Sequence, residues 1–419
     1  VDHTQLPTLR IGFIGAGFMA NFHLASLTGV RNALVAGVYS PRPARREAFA
    51  AKVRSLDLGP CVAYPTLEAM LTSGEVDAVW IVNPNHAHIE VMTEIHRLVT
   101  EGATPALRAV ACEKPLARTL REAREMLRLI EDAGLLHGYL ENQLFSTAVQ
   151  RGRDIIWRRA VPATGRPYIA RAAEEHSGPH EPWFWQGELQ GGGVLSDMMC
   201  HSVEVARFLL TAPGEPRDAL KLVSASATVA NLKWTRPAYA EQLKASMGAA
   251  VDYGRRPAED FARGLLTLED AHGQQMVIEA TTSWAYVGPG LRITLELLGP
   301  EYALEFSSLN TGLKVFMSRA VTGRAGEDLV EKQNAEQGLM PVLEDEAGIY
   351  GYTLENRHFV EAFRKGEKPM ETFVDGVEVV RMLMALYRSA ELGRTVSISD
   401  EDLDDYVPVV ARPRNQTTG

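Results

Sequence analysis

Along the first third of the chain, continuous apolar runs alternate with segments whose apolar residues return every three or four positions. LRIGFI (9–14), ALVAGVY (33–39), VDAVWIV (76–82) and ALRAVACE (106–113) are of the first kind. EAFAAKVRSL (47–56), LEAML (67–71) and LARTLREAREMLRLIEDAG (116–134) are of the second. Apolar strands between amphipathic helices need a parallel sheet covered on both faces, which predicts a doubly wound α/β domain over residues 1–140. After GLLHGYLENQLF (134–145) the rhythm changes. Residues 165–176, 219–232, 262–270, 274–286, 291–298 and 301–308 read as strands. LLTLED, MVIEATTSW and RITLELLG alternate apolar and polar positions, the pattern of an antiparallel sheet with one open face. Two helical patterns follow at 356–366 and 375–393, the second stopping at Gly393. A second α/β domain with a large open, mainly antiparallel sheet is expected over 141–419. Residues 233–262 and 323–350 read as long loops, and the tail beyond 409 as mobile.

Composition narrows the function. A chain of 419 residues with 46% hydrophobic and 23% charged positions is globular and long enough for two domains. A net charge of −10 argues against nucleic acid or an anionic membrane surface as partner. Cys61, Cys112 and Cys200 are far apart and form no CxxC, which suits a reducing compartment. No apolar run is long enough to span a bilayer, and the opening residues lack the apolar core of a secretory signal. The expected location is the cytoplasm.

Candidate chemistry begins at Gly15-Ala16-Gly17, between the first strand and the first helix. This is the order a dinucleotide pyrophosphate needs: Gly15 for the turn, Gly17 for close backbone approach, and a helix N-terminus opened by Phe18 and Met19 for the negative charge. At the end of the second strand an NAD site usually carries an acid for the ribose 2′-hydroxyl. Here stand Ser40 and Arg42, which suit a 2′-phosphate, so NAD and NADP both stay open; Arg42 as a solvated loop residue is the alternative. Asn83-Pro84-Asn85 lies at a strand's carboxyl end, where such sheets bind ligands. His88 begins the next helix, capping and packing being the plainer role for it. Glu113-Lys114-Pro115 ends a further strand and aims a lysine at the same crevice.

In the second domain GGGVLSDMMCHSVEVARFLL (191–210) sets Asp197 and His201 one helical turn apart behind three glycines. Leu195, Met198, Ser202, Val205 and Leu209 form the stripe expected to face the core. Asp197 and His201 lie off it, and the glycines would admit a ligand close to the backbone. Glu175, His176, His180, Trp183 and Trp185 suit a wall for a polyhydroxylated substrate, with the tryptophans equally able to close the core. Asn142 follows the last strand of the first domain and suggests a pocket contact. Arg171 reads as a loop arginine that keeps an anionic substrate open. No ligand spacing indicates a metal.

The glycine turn, NPNHAH (83–88), Glu113-Lys114-Pro115 and the glycine run with Asp197 and His201 occur in an order that resembles the Gfo/Idh/MocA family of oxidoreductases. Asn83 stands where the family's pattern has Thr. The resemblance implies a Rossmann domain and an open-sheet domain, with NAD or NADP as cofactor. It also implies a hydroxyl carbon of a sugar-like substrate or cyclic polyol as the reacting centre, and a homodimer or homotetramer formed through the second sheet. It matches Lys114, Asp197 and His201 to the family's catalytic set, with Asn83, Pro84, Asn85, His88, Glu113 and Lys114 beside the cofactor. Some members are redox-neutral glycosidases that oxidise C3 transiently, and this is the alternative.

Overall fold

The computed structural model describes residues 6–254, 257–318, 337–400 and 402–413, which divide into two compact units. Val1–Ala117, Arg121–Ser146 and Tyr350–Glu378 make the first; Arg118–Leu120, Thr147–Ile349 and Val379–Gly419 make the second.

The first unit holds β1 (Leu9–Ile14), β2 (Ala33–Tyr39), β3 (Val62–Tyr64), β4 (Ala78–Ile81), β5 (Ala109–Glu113) and β6 (Leu136–Leu140). They lie in the order β3-β2-β1-β4-β5-β6, every pair parallel. Every residue of β4 and β5 is buried, as apolar runs without alternation require. The strand order reverses between β1 and β4, so the loops after those strands flank a crevice at their carboxyl ends. The late helix Tyr352–Lys365 belongs to this unit, with Phe359 and Phe363 fully buried and the Trp80 ring edge-on to Phe363 at 5.9 Å. Gly138 of β6 admits it, since a Cβ there would lie 2.1 Å from the Phe359 ring.

The second unit holds β7 (Ile169–Glu175), β8 (Lys221–Ala230), β9 (Phe261–Glu269), β10 (Gln275–Ser283), β11 (Arg292–Gly299) and β12 (Tyr302–Ser307). It also carries a hairpin of β13 (Lys314–Met317) and β14 (Gly338–Pro341), and the short β15 (Val396–Ser397). The large sheet runs β12-β11-β7-β10-β9-β8-β15, antiparallel except where β7 and β10 pair in parallel. Leu266, Ile278, Leu295 and their alternate neighbours are buried, and the helix Val194–Leu210 packs on β7 and β10. The opposite face shows Arg263, Leu265, Arg171, Glu279 and Glu296. Arg171 is therefore a strand residue whose guanidinium is held by Glu279 at 3.2 Å and Glu296 at 2.9 Å, not a loop cation awaiting an anion.

Three local expectations change. Residues 233–262 contain the helix Pro237–Met247, with Pro237 at its first turn, where a missing N–H costs nothing, and Gly248 at φ +90° ending it. Of the loop expected at 323–350, residues 319–336 lie outside the described part; Gly338–Pro341 is a strand and Glu346–Ile349 a helical turn. Past residue 409, Val409–Ala411 form a turn whose Val409 N–H donates to Glu391 Oε1 at 2.7 Å, while 414–419 lie outside the described residues. Among the described residues no helix is long and apolar enough to cross a membrane.

Candidate active site

At the end of β1, Gly15 adopts φ +118° and donates its N–H to Tyr39 O at 2.9 Å, locking the turn to β2. A Cβ here would stand 2.8 Å from Asn83 N and 2.9 Å from the Val82 carbonyl, so only glycine brings this turn against the end of β4. Gly17 caps the helix Phe18–Leu27 without a side-chain bond, and a Cβ on it would meet nothing within 4 Å. Phe18 is exposed and Met19 half-buried at the start of this helix, while Ala20 is buried. Asn83 Oδ1 is buried with no hydrogen-bond partner among the described residues, an acceptor aimed at this same end of the sheet. Glycine cradle, open helix terminus and orphaned acceptor fit a dinucleotide.

Ser40 is buried at the end of β2; its hydroxyl accepts weakly from Arg42 N and its carbonyl accepts from Arg46 Nη1 at 3.2 Å. Arg42 is exposed, one residue before the helix Pro43–Ser55. His88 is fully buried, with ring nitrogens 3.0 Å from Asn83 O and 3.1 Å from Leu116 O. It ties Asn83-Pro84-Asn85 to the segment after Glu113-Lys114-Pro115, and burial pushes its pKa down. Glu113 is buried: one carboxylate oxygen lies 2.8 Å from His23 Nε2, and the other accepts from Lys114 N at 3.0 Å. Lys114 is half-buried at the end of β5. Asn142 is buried, its amide donating to Tyr350 O at 2.7 Å.

In the second unit, every residue of the helix Val194–Leu210 is buried, polar ones included. The expected single stripe is thereby corrected, because the sheet and other elements enclose all sides of it. Glu204 and Arg207 neutralise each other there, 2.7 Å apart. Asp197 and His201 are 4% and 3% exposed, and Asp197 Oδ2 accepts from Trp284 Nε1 at 3.2 Å. Cys200 is buried, its thiol turned back to Asp197 O.

The glycines before this helix admit protein, not ligand. Gly191 sits at φ +85° where a Cβ would meet the Arg118 backbone at 2.8 Å. A Cβ on Gly192 would fall 2.0 Å from Tyr387 Oη, and one on Gly193 2.5 Å from Glu259 O. Glu259 and Tyr387 fill that space as the helix cap. Glu259 Oε1 accepts from Gly193 N, Leu195 N and Tyr387 Oη at 3.0, 3.1 and 2.5 Å; Tyr387 Oη accepts from Gly193 N and Ser196 N. Burial raises the Glu259 pKa against these donors. An acid at a helix N-terminus also meets the positive end of the dipole.

The expected substrate wall divides. The Trp185 ring is buried within 5.0–5.4 Å of Trp284, Trp234 and Tyr253, and its Nε1 donates to Pro179 O, so it closes an aromatic core. Trp183 stays half-exposed, stacked on Phe184 at 3.7 Å. His176 Nδ1 accepts from Gly178 N at 2.9 Å, Glu175 pairs with Arg292, and His180 is exposed. Trp284, Glu259 and Tyr387 carried no signal in the sequence, because each acts through a fold contact with a residue far from it in the chain.

A parallel sheet with a glycine turn at its switch point, joined in one chain to an open-sheet unit, is the architecture of a dinucleotide-binding protein. The chain belongs to the Gfo/Idh/MocA family. Residues 9–139 match the model described as "Oxidoreductase family, NAD-binding Rossmann fold", and 162–304 match "GFO/IDH/MocA C-terminal domain", together well over half of the chain. A 1,5-anhydro-D-fructose reductase of Ensifer adhaerens is 26% identical over 93% of this chain and 98% of its own. A levoglucosan dehydrogenase of Pseudarthrobacter phenanthrenivorans is 26% identical over 92% and 97%. The solved structure of GenD2 from gentamicin A biosynthesis, in complex with NAD, superposes with a TM-score of 0.73 at 23% identity, covering 93% and 96%. The protein is an NAD(P)-dependent dehydrogenase or reductase acting on CH–OH groups, with NAD against NADP open. These relatives are named as reductases and dehydrogenases, so redox-neutral hydrolysis is not favoured.

Proposed function

We propose that this enzyme moves a hydride to or from a hydroxyl carbon of a sugar, sugar derivative or cyclic polyol, with Lys114, Asp197 and His201 as its catalytic groups. The observation that carries the reading is the pairing of Asp197 and His201, one turn apart and both buried, on a helix whose start is held by Glu259 and Tyr387. Gly15, Gly17, Phe18, Met19, Asn83, Pro84, Asn85, His88 and Glu113 would hold or support the cofactor, with Ser40 and Arg42 at its ribose. The bound nicotinamide supplies or accepts the hydride. His201 takes the hydroxyl proton in oxidation and returns it in reduction. Lys114 stabilises charge developing on the reacting oxygen. Asp197 orients His201 or a neighbouring substrate hydroxyl, itself held by Trp284. Asn142, Glu175, His176, His180 and Trp183 belong to the substrate's surroundings, with Trp185 as their support. The names of the two relatives, which act on anhydro-sugars, support a compact cyclic substrate. A homodimer or homotetramer through the open face of the second sheet completes the reading; its cross-strand pairs of Arg171 and Arg263 with Glu279 and Glu296 make it polar but internally neutral.

The test is turnover of reduced nicotinamide with a panel of sugars, anhydro-sugars and inositols. K114A and H201A should each lose about a thousandfold in kcat, the scale of removing one electrostatic or acid–base group, with cofactor binding retained. Either variant turning over at the wild-type rate refutes the assignment.

A further inference from the structure

Behind Glu113 and Lys114 the first unit buries Trp80, Asn356 and His23, polar groups with no cofactor or substrate role of their own. Trp80 Nε1 can only donate, and it donates to Asn356 Oδ1 at 2.9 Å. That fixes the amide of Asn356, whose Nδ2 then faces His23 Nδ1 at 2.9 Å and also reaches Ser26 Oγ and Tyr352 O. The Glu113 carboxylate only accepts, so His23 Nε2 carries a proton, while Nδ1 lies 2.9 Å from Asn356 Nδ2 and 3.3 Å from its Oδ1. Nε2 donates to Glu113 Oε1 at 2.8 Å, and Glu113 Oε2 accepts the Lys114 amide at 3.0 Å. Tyr352 closes the ring edge-on at 5.4 Å. Trp80, Asn356 and His23 are all fully buried.

Next to Asn356, Glu355 is fully buried, and neither of its carboxyl oxygens has a partner among the described residues. Burial first, then the charges of Glu113 and Glu141, push its pKa well above the usual carboxylate range. Among the described residues, the groups that face Glu113 include His23 on the glycine-turn helix, His88 on the helix after β4, Cys112 and Lys114 beside it in the chain, and Glu355.

We infer that His23 is a positioning residue for the reaction: its donated hydrogen bond orients Glu113, and Glu113 in turn seats the backbone of Lys114 at the end of β5. This rests on the reading of Lys114 as the cation at the reacting oxygen. The helix that carries His23 is capped by Gly17 and begins at Phe18, so one short element presents its N-terminus to the cofactor end of the sheet and its sixth side chain bonds Glu113.

The experiment compares H23L, H23Q, E113Q and the double variant H23L/E113Q, with K114A alongside, by pH profiles of kcat and kcat/KM and by titration of reduced nicotinamide nucleotide. In H23L the buried carboxylate loses a charged hydrogen bond. Its proton uptake should move up by about one pH unit or more, adding an acid limb to kcat. At the foot of that limb kcat should fall roughly tenfold, with nucleotide Kd within about threefold. H23Q, whose amide can donate to Glu113, should recover most of the kcat. H23L/E113Q should lack the added limb, since the titrating group is gone.

An H23L enzyme that melts earlier but keeps the wild-type profile overturns the inference. So does E113Q at wild-type kcat, which settles the matter even if H23L does not fold. Full activity of K114A would instead overturn the parent reading. Inactive K114A beside unchanged H23L would remove only the role of His23.

Discussion

Replacing Tyr387 by Phe removes a single oxygen from the cap that starts the Asp197 helix. That oxygen donates to Glu259 Oε1 at 2.5 Å and accepts from Gly193 N at 2.9 Å and Ser196 N at 3.2 Å. Gly193 N keeps its bond to Glu259, so the loss is one hydrogen bond to a carboxylate and one partner for Ser196 N. A bond to a charged group contributes about 2 kcal/mol and a buried N–H left without its acceptor costs about 1 more, so a loss of about 3 kcal/mol is expected. Against a typical total stability of about 10 kcal/mol this is large. The penalty must also depend on pH. Burial already raises the Glu259 pKa, and loss of the phenol donor raises it further. A carboxyl whose folded value is raised contributes fully below its unfolded value near 4.5, and that contribution is lost as pH rises through the folded value. The difference between Y387F and wild type should therefore be smallest below about pH 4.5 and widen toward neutrality. Denaturant titration followed by near-ultraviolet circular dichroism reads this unit directly, because Trp185, Trp234 and Trp284 cluster within it. A difference below about 1 kcal/mol at neutral pH, or one that shrinks as pH rises, refutes the cap.

G15A should weaken binding of reduced nicotinamide nucleotide by about tenfold or more, because alanine at φ +118° is strained and its Cβ meets Asn83 N; calorimetric titration within threefold of wild type contradicts this. W284F removes the indole donor to Asp197 while keeping an aromatic ring beside Trp185, and kcat should drop roughly tenfold with little change in nucleotide affinity; an unchanged kcat denies Trp284 a part in holding Asp197. E355Q replaces a buried acid whose raised pKa makes folding less favourable as pH climbs above about 4.5, so its melting temperature should gain on wild type with increasing pH. A gap that stays constant from acid to neutral pH would mean Glu355 does not titrate between the folded and unfolded states.

The sequence alone determined what local pattern can determine. Unbroken apolar runs demanded strands covered on both faces, alternation demanded an open sheet, and both sheets formed at the expected segments. Gly15 was legible because its turn follows directly on a strand, although the neighbours that demand glycine there, Val82 and Asn83, come from the end of β4. The glycines at 191–193 were misread as room for a ligand because their true neighbours, Arg118, Glu259 and Tyr387, come from distant parts of the chain. For the same reason the helix after them showed one stripe in sequence yet is enclosed on all sides. His23 carried no signal in the sequence, because its partners Glu113 and Asn356 come from distant parts of the chain. Local periodicity records which face a segment must hide, since burial acts on every residue at once. Which group answers a buried charge is a matter of two or three atoms brought together across the chain, and only the tertiary structure decides that.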